Sequence, residues 1–167
     1  MTKKWSENDE LFIKELKDGF SWQRLPLTFF DLHKLSVEMP DLEIREGSIK
    51  NASPFFNSKD LTVNGKRIEI KSRKEAFTSP ESFPYKTAIV DTVKKYDGRK
   101  DKPFAYVMVS RITGAMLWVD ATTPEKWGII KKFDKTRKYY DNFYEIPREQ
   151  MQTMDSLVSA LKENKDV

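Results

Sequence analysis

Asp60-Leu61-Thr62-Val63-Asn64-Gly65-Lys66-Arg67-Ile68-Glu69-Ile70-Lys71 is the stretch on which the fold of this chain turns. Asn-Gly between two alternating runs is the strongest short-range signal for a β-hairpin, because both turn residues must accept positive φ. A two-residue loop at Asn64-Gly65 fixes the register: Val63 faces Lys66, Thr62 faces Arg67, Leu61 faces Ile68 and Asp60 faces Glu69. With a side-chain period of two, Leu61, Val63, Ile68 and Ile70 take the core face, and Asp60, Glu69 and Lys71 share the other.

Two carboxylates placed opposite each other on neighbouring strands repel. At about 4 Å and an effective dielectric near 20 the penalty is on the order of 4 kcal/mol. A divalent cation between them reverses the sign, and Lys71 offsets part of the charge without one. A lysine beside a metal-activated water is also well placed to hold that water for attack on a phosphate. Glu-x-Lys alone carries little, since Glu15-Leu16-Lys17 and Glu163-Asn164-Lys165 repeat it in helical surroundings. Only the third copy follows a tight turn and opposes an aspartate. The plain alternative is a solvated strand face whose ion pair contributes about 0–1 kcal/mol.

Working outward, the preceding segments read as helices. Ser6 caps one that carries Leu11, Phe12 and Leu16 inward and ends near Gly19. A second runs from about Leu27 to Glu38 and stops at Pro40. Leu42 and Ile44 alternate with charged residues as a short strand. Beyond the hairpin, Glu75 to Tyr85 reads as a loop, and Thr87 to Tyr96 is assigned to a crossover helix in spite of its β-branched residues. Phe104 to Val109 and Ala115 to Val119 read as strands around Thr113-Gly114, and Arg148 to Leu161 as an amphipathic helix. The order predicts one α/β domain over residues 1–167, a mixed β-sheet flanked by helices.

Composition narrows the chemistry. The chain has no Cys and a single His, His33, so thiolate sites, cysteine nucleophiles and multi-histidine zinc sites are excluded. A metal here is held by oxygen, which selects Mg²⁺ or Mn²⁺. His33 lies among Phe29, Phe30 and Leu32, where a core-edge role is expected. The charged start and the lack of a long apolar run predict no signal peptide and no membrane span, hence a cytoplasmic protein. A formal net charge of +4 is compatible with a polyanion partner. Lys66, Arg67, Arg73 and Lys74 flank the carboxylates, where they would attract phosphate, and Ser72 and Ser110 stand at strand ends nearby. Lys94, Lys95, Arg99, Lys100 and Lys102 form one basic stretch; Lys131, Lys132, Lys135, Arg137 and Lys138 form another, followed by Tyr139 and Tyr140. Cations beside aromatics suit backbone contact with base stacking, or equally a solvated face over a core.

Asp60, eight residues, then Glu69-Ile70-Lys71 resembles the signature of the PD-(D/E)xK phosphodiesterase superfamily, with Lys59 standing where the motif's name has proline. The resemblance implies a restriction-endonuclease-like fold with its core over about residues 27–120. It implies that Asp60 and Glu69 bind Mg²⁺, that Ile70 lends a backbone carbonyl, and that Lys71 assists the nucleophilic water. A further acidic ligand from Glu10, Asp31, Glu38 or Glu46 is left open. By the same resemblance the substrate is nucleic acid, DNA before RNA, and the setting a bacterial or phage-infected cell. Cutting two strands with one site per chain implies a homodimer. The alternative is a non-catalytic nucleic-acid-binding or partner-binding protein on a nuclease fold.

Overall fold

The computed structural model describes residues 24–38, 61–135 and 137–163. The Asn64-Gly65 turn has φ of 48° and 77°, as a two-residue hairpin with right-handed strand twist requires. Strand β1 is Val37–Glu38, and the hairpin strands are β2 (Leu61–Val63) and β3 (Lys66–Arg73). Their register is Val63↔Lys66, Thr62↔Arg67 and Leu61↔Ile68, as the turn dictates. The turn is tied down from two sides. The Asn64 N–H donates to the Ser36 carbonyl at 2.8 Å, the Ser36 N–H returns a bond to Asn64 Oδ1 at 3.0 Å, and Asn64 Nδ2 donates to the Leu161 carbonyl at 3.4 Å.

From β3 the chain continues into β4 (Thr87–Thr92), a short helix over Val93–Asp97, and strands β5 (Ala105–Ser110) and β6 (Met116–Asp120). It then forms β7 (Gly128–Asp134), β8 (Tyr139–Pro147), β9 (Gln152–Thr153) and a C-terminal helix over Met154–Glu163. A six-stranded mixed sheet has the order β1-β2-β3-β5-β6-β9, with β3 and β5 parallel. A second, antiparallel sheet has the order β4-β8-β7. The class is α/β, with more sheet than helix.

Strand β5 is buried along its whole length because the main sheet is covered on both sides. On one face Leu61, Val63, Ile68 and Val107 pack with Phe30 of the first described helix (Arg24–Leu32) and Leu157 and Leu161 of the C-terminal helix. On the other, Tyr106, Met108 and Leu117 pack with Ala88 and Val90 of β4 and Ile146 of β8. The face that carries Glu69 is therefore roofed by the second sheet and is not a solvated surface.

Three sequence assignments change. The helix expected from Leu27 to Glu38 ends at Leu32, because Lys34 adopts φ 59° and Val37 enters a strand opposite Val63. The crossover helix expected over 87–96 is a strand up to Thr92, where β-branched side chains prevail. Thr92 then caps the short helix through its side chain, which accepts from the Lys95 N–H at 3.1 Å. The last helix starts at Met154, later than Arg148. The helix expected from Ser6 and the strand at Leu42 and Ile44 lie outside the described residues. Among the described residues no helix is long and apolar enough to cross a membrane.

Candidate active site

The pleat of β3 directs Arg67, Glu69, Lys71 and Arg73 toward the second sheet. Glu69 is 5% exposed and sits beside Tyr106 of β5, its register partner. Asp91, also 5% exposed, comes from the end of β4 in the opposing layer. Lys71 Nζ lies between them, 3.2 Å from Glu69 Oε1 and 3.7 Å from Asp91 Oδ1. Arg99 bridges the same pair. It engages both Glu69 oxygens, with Nη2 2.9 Å from Oε1, and places Nη2 3.6 Å from Asp91 Oδ2. Lys95 Nζ is 3.5 Å and Arg67 Nη2 3.7 Å from Glu69. Four cations thus converge on two carboxylates, an excess of positive charge that a phosphate would neutralise.

Electrostatics follow from this crowding. Burial alone would raise the Glu69 pKa, but Lys71, then the Arg99 hydrogen bond and Lys95, hold it far below the usual carboxylate range. Burial and the neighbouring Lys71 lower the Lys95 pKa against the pull of Glu69 and Asp91. Burial, Asp91 and Glu69 keep the Tyr106 hydroxyl protonated well beyond the ordinary tyrosine range. That hydroxyl donates to Asp91 Oδ2 at 2.9 Å, and the Thr92 N–H donates to Oδ1 at 2.9 Å, so Asp91 is held at both oxygens.

Beside the cluster opens a cavity of about 270 Å³, lined by Lys71, Ser72, Arg73, Asp91, Lys95 and Arg137 among others. Arg73 donates from Nη2 to the Ile89 carbonyl, and its buried Nε has no partner among the described residues. Burial lowers the Arg73 pKa, opposed by Glu75; a guanidinium remains charged at neutral pH regardless.

Glu69 and Lys71 meet as expected, and the backbone of Ile70 lies between them on β3, with its side chain in the opposite core. Asp60 lies outside the described residues, as do Glu10 and Glu46. Asp31 and Glu38 are exposed, although Glu38 pairs with Thr62 and thereby shares the sheet face of Arg67. Arg67 joins the cluster, while Lys66 packs over the Phe104 ring and Lys74 is exposed. Ser72 lines the cavity and accepts from Arg111 at 3.0 Å. Ser110 instead organises the β5–β6 turn, donating to the Glu75 carbonyl at 2.8 Å. His33 stacks on Phe29 at 4.5 Å, in its expected core-edge role. Lys131 and Lys132 are exposed on β7, and Arg137 and Lys138 lie in the β7–β8 turn. Asp91 and Tyr106 were not foreseen. The signal for Asp91 was local: one acidic residue closing a β-branched run, just before a threonine able to cap a helix.

The carboxylate oxygens are donors of the kind a hard cation takes, but the four cations already on them oppose its binding. Glu69 and Asp91 offer carboxylate oxygen, and Lys71 and Arg99 already bridge them as a divalent ion would. Among the described residues no third acidic or histidine side chain joins them in a metal-holding group. The chain matches no protein-family model, no curated protein and no solved structure.

Proposed function

We propose that the chain is a Mg²⁺- or Mn²⁺-dependent deoxyribonuclease on a restriction-endonuclease-like fold, acting in the cytoplasm of a bacterial or phage-infected cell. The observation that carries this reading is the Lys71 ammonium bridging two buried carboxylates, Glu69 and Asp91, at the wall of a cation-lined cavity. Perturbed, buried charge in a cleft is where catalysis concentrates.

Glu69, Asp60 and the Ile70 carbonyl would hold the ion, with Asp91 as a further oxygen donor in reach of Lys71. When bound, it would offset charge developing on the phosphate oxygens and ease the deprotonation of water. Lys71 Nζ orients the attacking water. Arg73, Lys95 and Arg137 receive the phosphate. Tyr106 holds Asp91 in place, and Arg99 fixes the carboxylate plane of Glu69. Cutting of both strands would engage a homodimer.

The test is cleavage of plasmid and linear duplex DNA with Mg²⁺, Mn²⁺ or EDTA. Cleavage should need metal and should be lost in Asp60→Ala, Glu69→Ala and Lys71→Ala; activity intact in Lys71→Ala refutes the assignment.

A second reading has its own support. Arg99 occupies both oxygens of Glu69, so the carboxylate is neutralised without metal. A non-catalytic nucleic-acid-binding protein would use Glu69 and Asp91 only to array the surrounding cations. It predicts DNA binding that EDTA leaves unchanged, with no cleavage in either metal.

A further inference from the structure

Strands β7 and β8 extend past the end of β4. β8 pairs with β4 only as far as Thr92↔Phe143, and beyond that point it pairs with β7 alone. The result is a two-stranded ribbon whose side chains are exposed on both faces: Lys131, Phe133 and Tyr140 on one, Ile130, Lys132 and Tyr139 on the other. Between Gly128 and Asp141 the chain carries five Lys or Arg and two Asp, so most of the protein's excess positive charge sits on this ribbon. At its far end the Lys138 N–H donates to the Asp134 carbonyl at 2.7 Å and the Arg137 N–H to Asp134 Oδ1 at 3.0 Å. Phe133 and Tyr140 stack edge to face at 5.2 Å with Lys131 Nζ over Tyr140.

Lysines on an edge strand can serve merely to block edge-to-edge pairing. That role explains Lys131 and Lys132. It does not explain Tyr140, 65% exposed on the inner strand, nor Arg137, which turns back to line the Lys71–Asp91 cavity.

We infer that the β7–β8 ribbon is a docking arm for duplex DNA, entering a groove with its lysines against the two phosphate walls and Arg137 leading the backbone to the cavity. A major groove admits a two-stranded ribbon, and walls on either side match cations exposed on both faces. A single strand would instead be expected to lie on one aromatic platform. The role of Arg137 rests on the phosphodiesterase reading of the cavity; the groove contact does not.

The experiment is fluorescence anisotropy in EDTA, so that neither metal nor cleavage enters. The probes are a mixed-sequence duplex, one of its single strands, and polyglutamate, each titrated with the full chain across a salt series. Lys131→Ala/Lys132→Ala/Lys138→Ala is expected to weaken duplex binding about 10- to 100-fold and to lower the salt-dependence slope by about 2 to 3. The corresponding triple arginine variant, which keeps charge, should bind within about threefold of the parent and controls for folding. A folded alanine variant that binds duplex as the parent does overturns the arm. So does a parent that binds no duplex, or that prefers the single strand or polyglutamate. A parent that binds duplex through these lysines yet cleaves nothing with Mg²⁺ or Mn²⁺ refutes the nuclease and leaves the arm standing.

Discussion

Tyr106 of the main sheet and Asp91 of the second sheet are joined by a buried 2.9 Å hydrogen bond, with the tyrosine as donor. The two layers are thus locked together at the point where the charged cluster forms. Because burial and the adjacent carboxylates keep the phenol protonated, this donor persists at any pH the fold tolerates. Tyr106→Phe leaves Asp91 short of one bond in a buried setting. It is expected to lower stability by about 1–3 kcal/mol, read from urea unfolding. Under the nuclease reading it should also reduce cleavage more than the stability loss explains, since Asp91 is released from its position.

Glu69 gives the fold a pH dependence whose sign can be worked out. Its folded pKa lies well below the ordinary carboxyl value of 4.5, so the folded state prefers the ionised form. That preference stabilises the protein fully above the unfolded value and is lost as pH falls through the folded one. In EDTA, the stability gap between the parent and Glu69→Gln should be constant from about pH 7 down to about pH 5 and shrink below that. A gap that widens on acidification would refute the depressed pKa.

Arg99 fills the space between the two carboxylates and competes with any ion there. Arg99→Gln in EDTA is expected to be less stable by about 1–3 kcal/mol, below the 3–5 kcal/mol of an isolated broken pair, because Lys71, Lys95 and Arg67 still face Glu69. The variant should nevertheless gain more thermal stability from added Mn²⁺ than the parent does. An equal or smaller Mn²⁺ shift in the variant would mean that the pair holds no metal.

How much of this could be read from the sequence depends on the range of the forces involved. Asn64-Gly65 set its own dihedral angles, and with them the register of β2 on β3 and the common face of Glu69 and Lys71. The Thr87–Thr92 segment carried its strand preference in its β-branched residues, but apolar spacing alone admitted a helix. Asp91 could not be placed beside Lys71, because their meeting depends on how a second sheet roofs the first. The same roof replaces the solvated strand face, which the sequence also allowed, with a buried network. The lysine-rich segment at 131–138 showed its charge in the sequence; that it projects as a two-sided ribbon depends on where β4 stops pairing.

Gly65 tests the hairpin itself. With φ at 77°, a Cβ there meets no atom within 4 Å, so the strain of a substitution is conformational and not steric. Gly65→Ala is expected to destabilise by about 1 kcal/mol, measured by urea unfolding. Gly65→Asn, which tolerates positive φ better, should recover part of the loss.

Lys71 separates chemistry from stability. Its side chain is 26% exposed, and Glu69 retains Arg99 as a bidentate partner when Lys71 is removed. Lys71→Met is therefore expected to cost about 1–3 kcal/mol, below the 3–5 kcal/mol of an isolated broken pair, and to leave the protein folded. Under the proposed function it should slow cleavage by about 10²- to 10⁴-fold, the range for loss of a positioned acid–base group, with DNA affinity in EDTA nearly intact. Lys71→Arg keeps the charge but replaces a compact ammonium with a planar fork that already has a counterpart in Arg99. It should bind DNA normally and remain slow. Single-turnover cleavage compared with anisotropy distinguishes the outcomes: full activity in the arginine variant would reduce Lys71 to a source of charge, whereas loss of binding in both would move it from the chemical step to substrate capture.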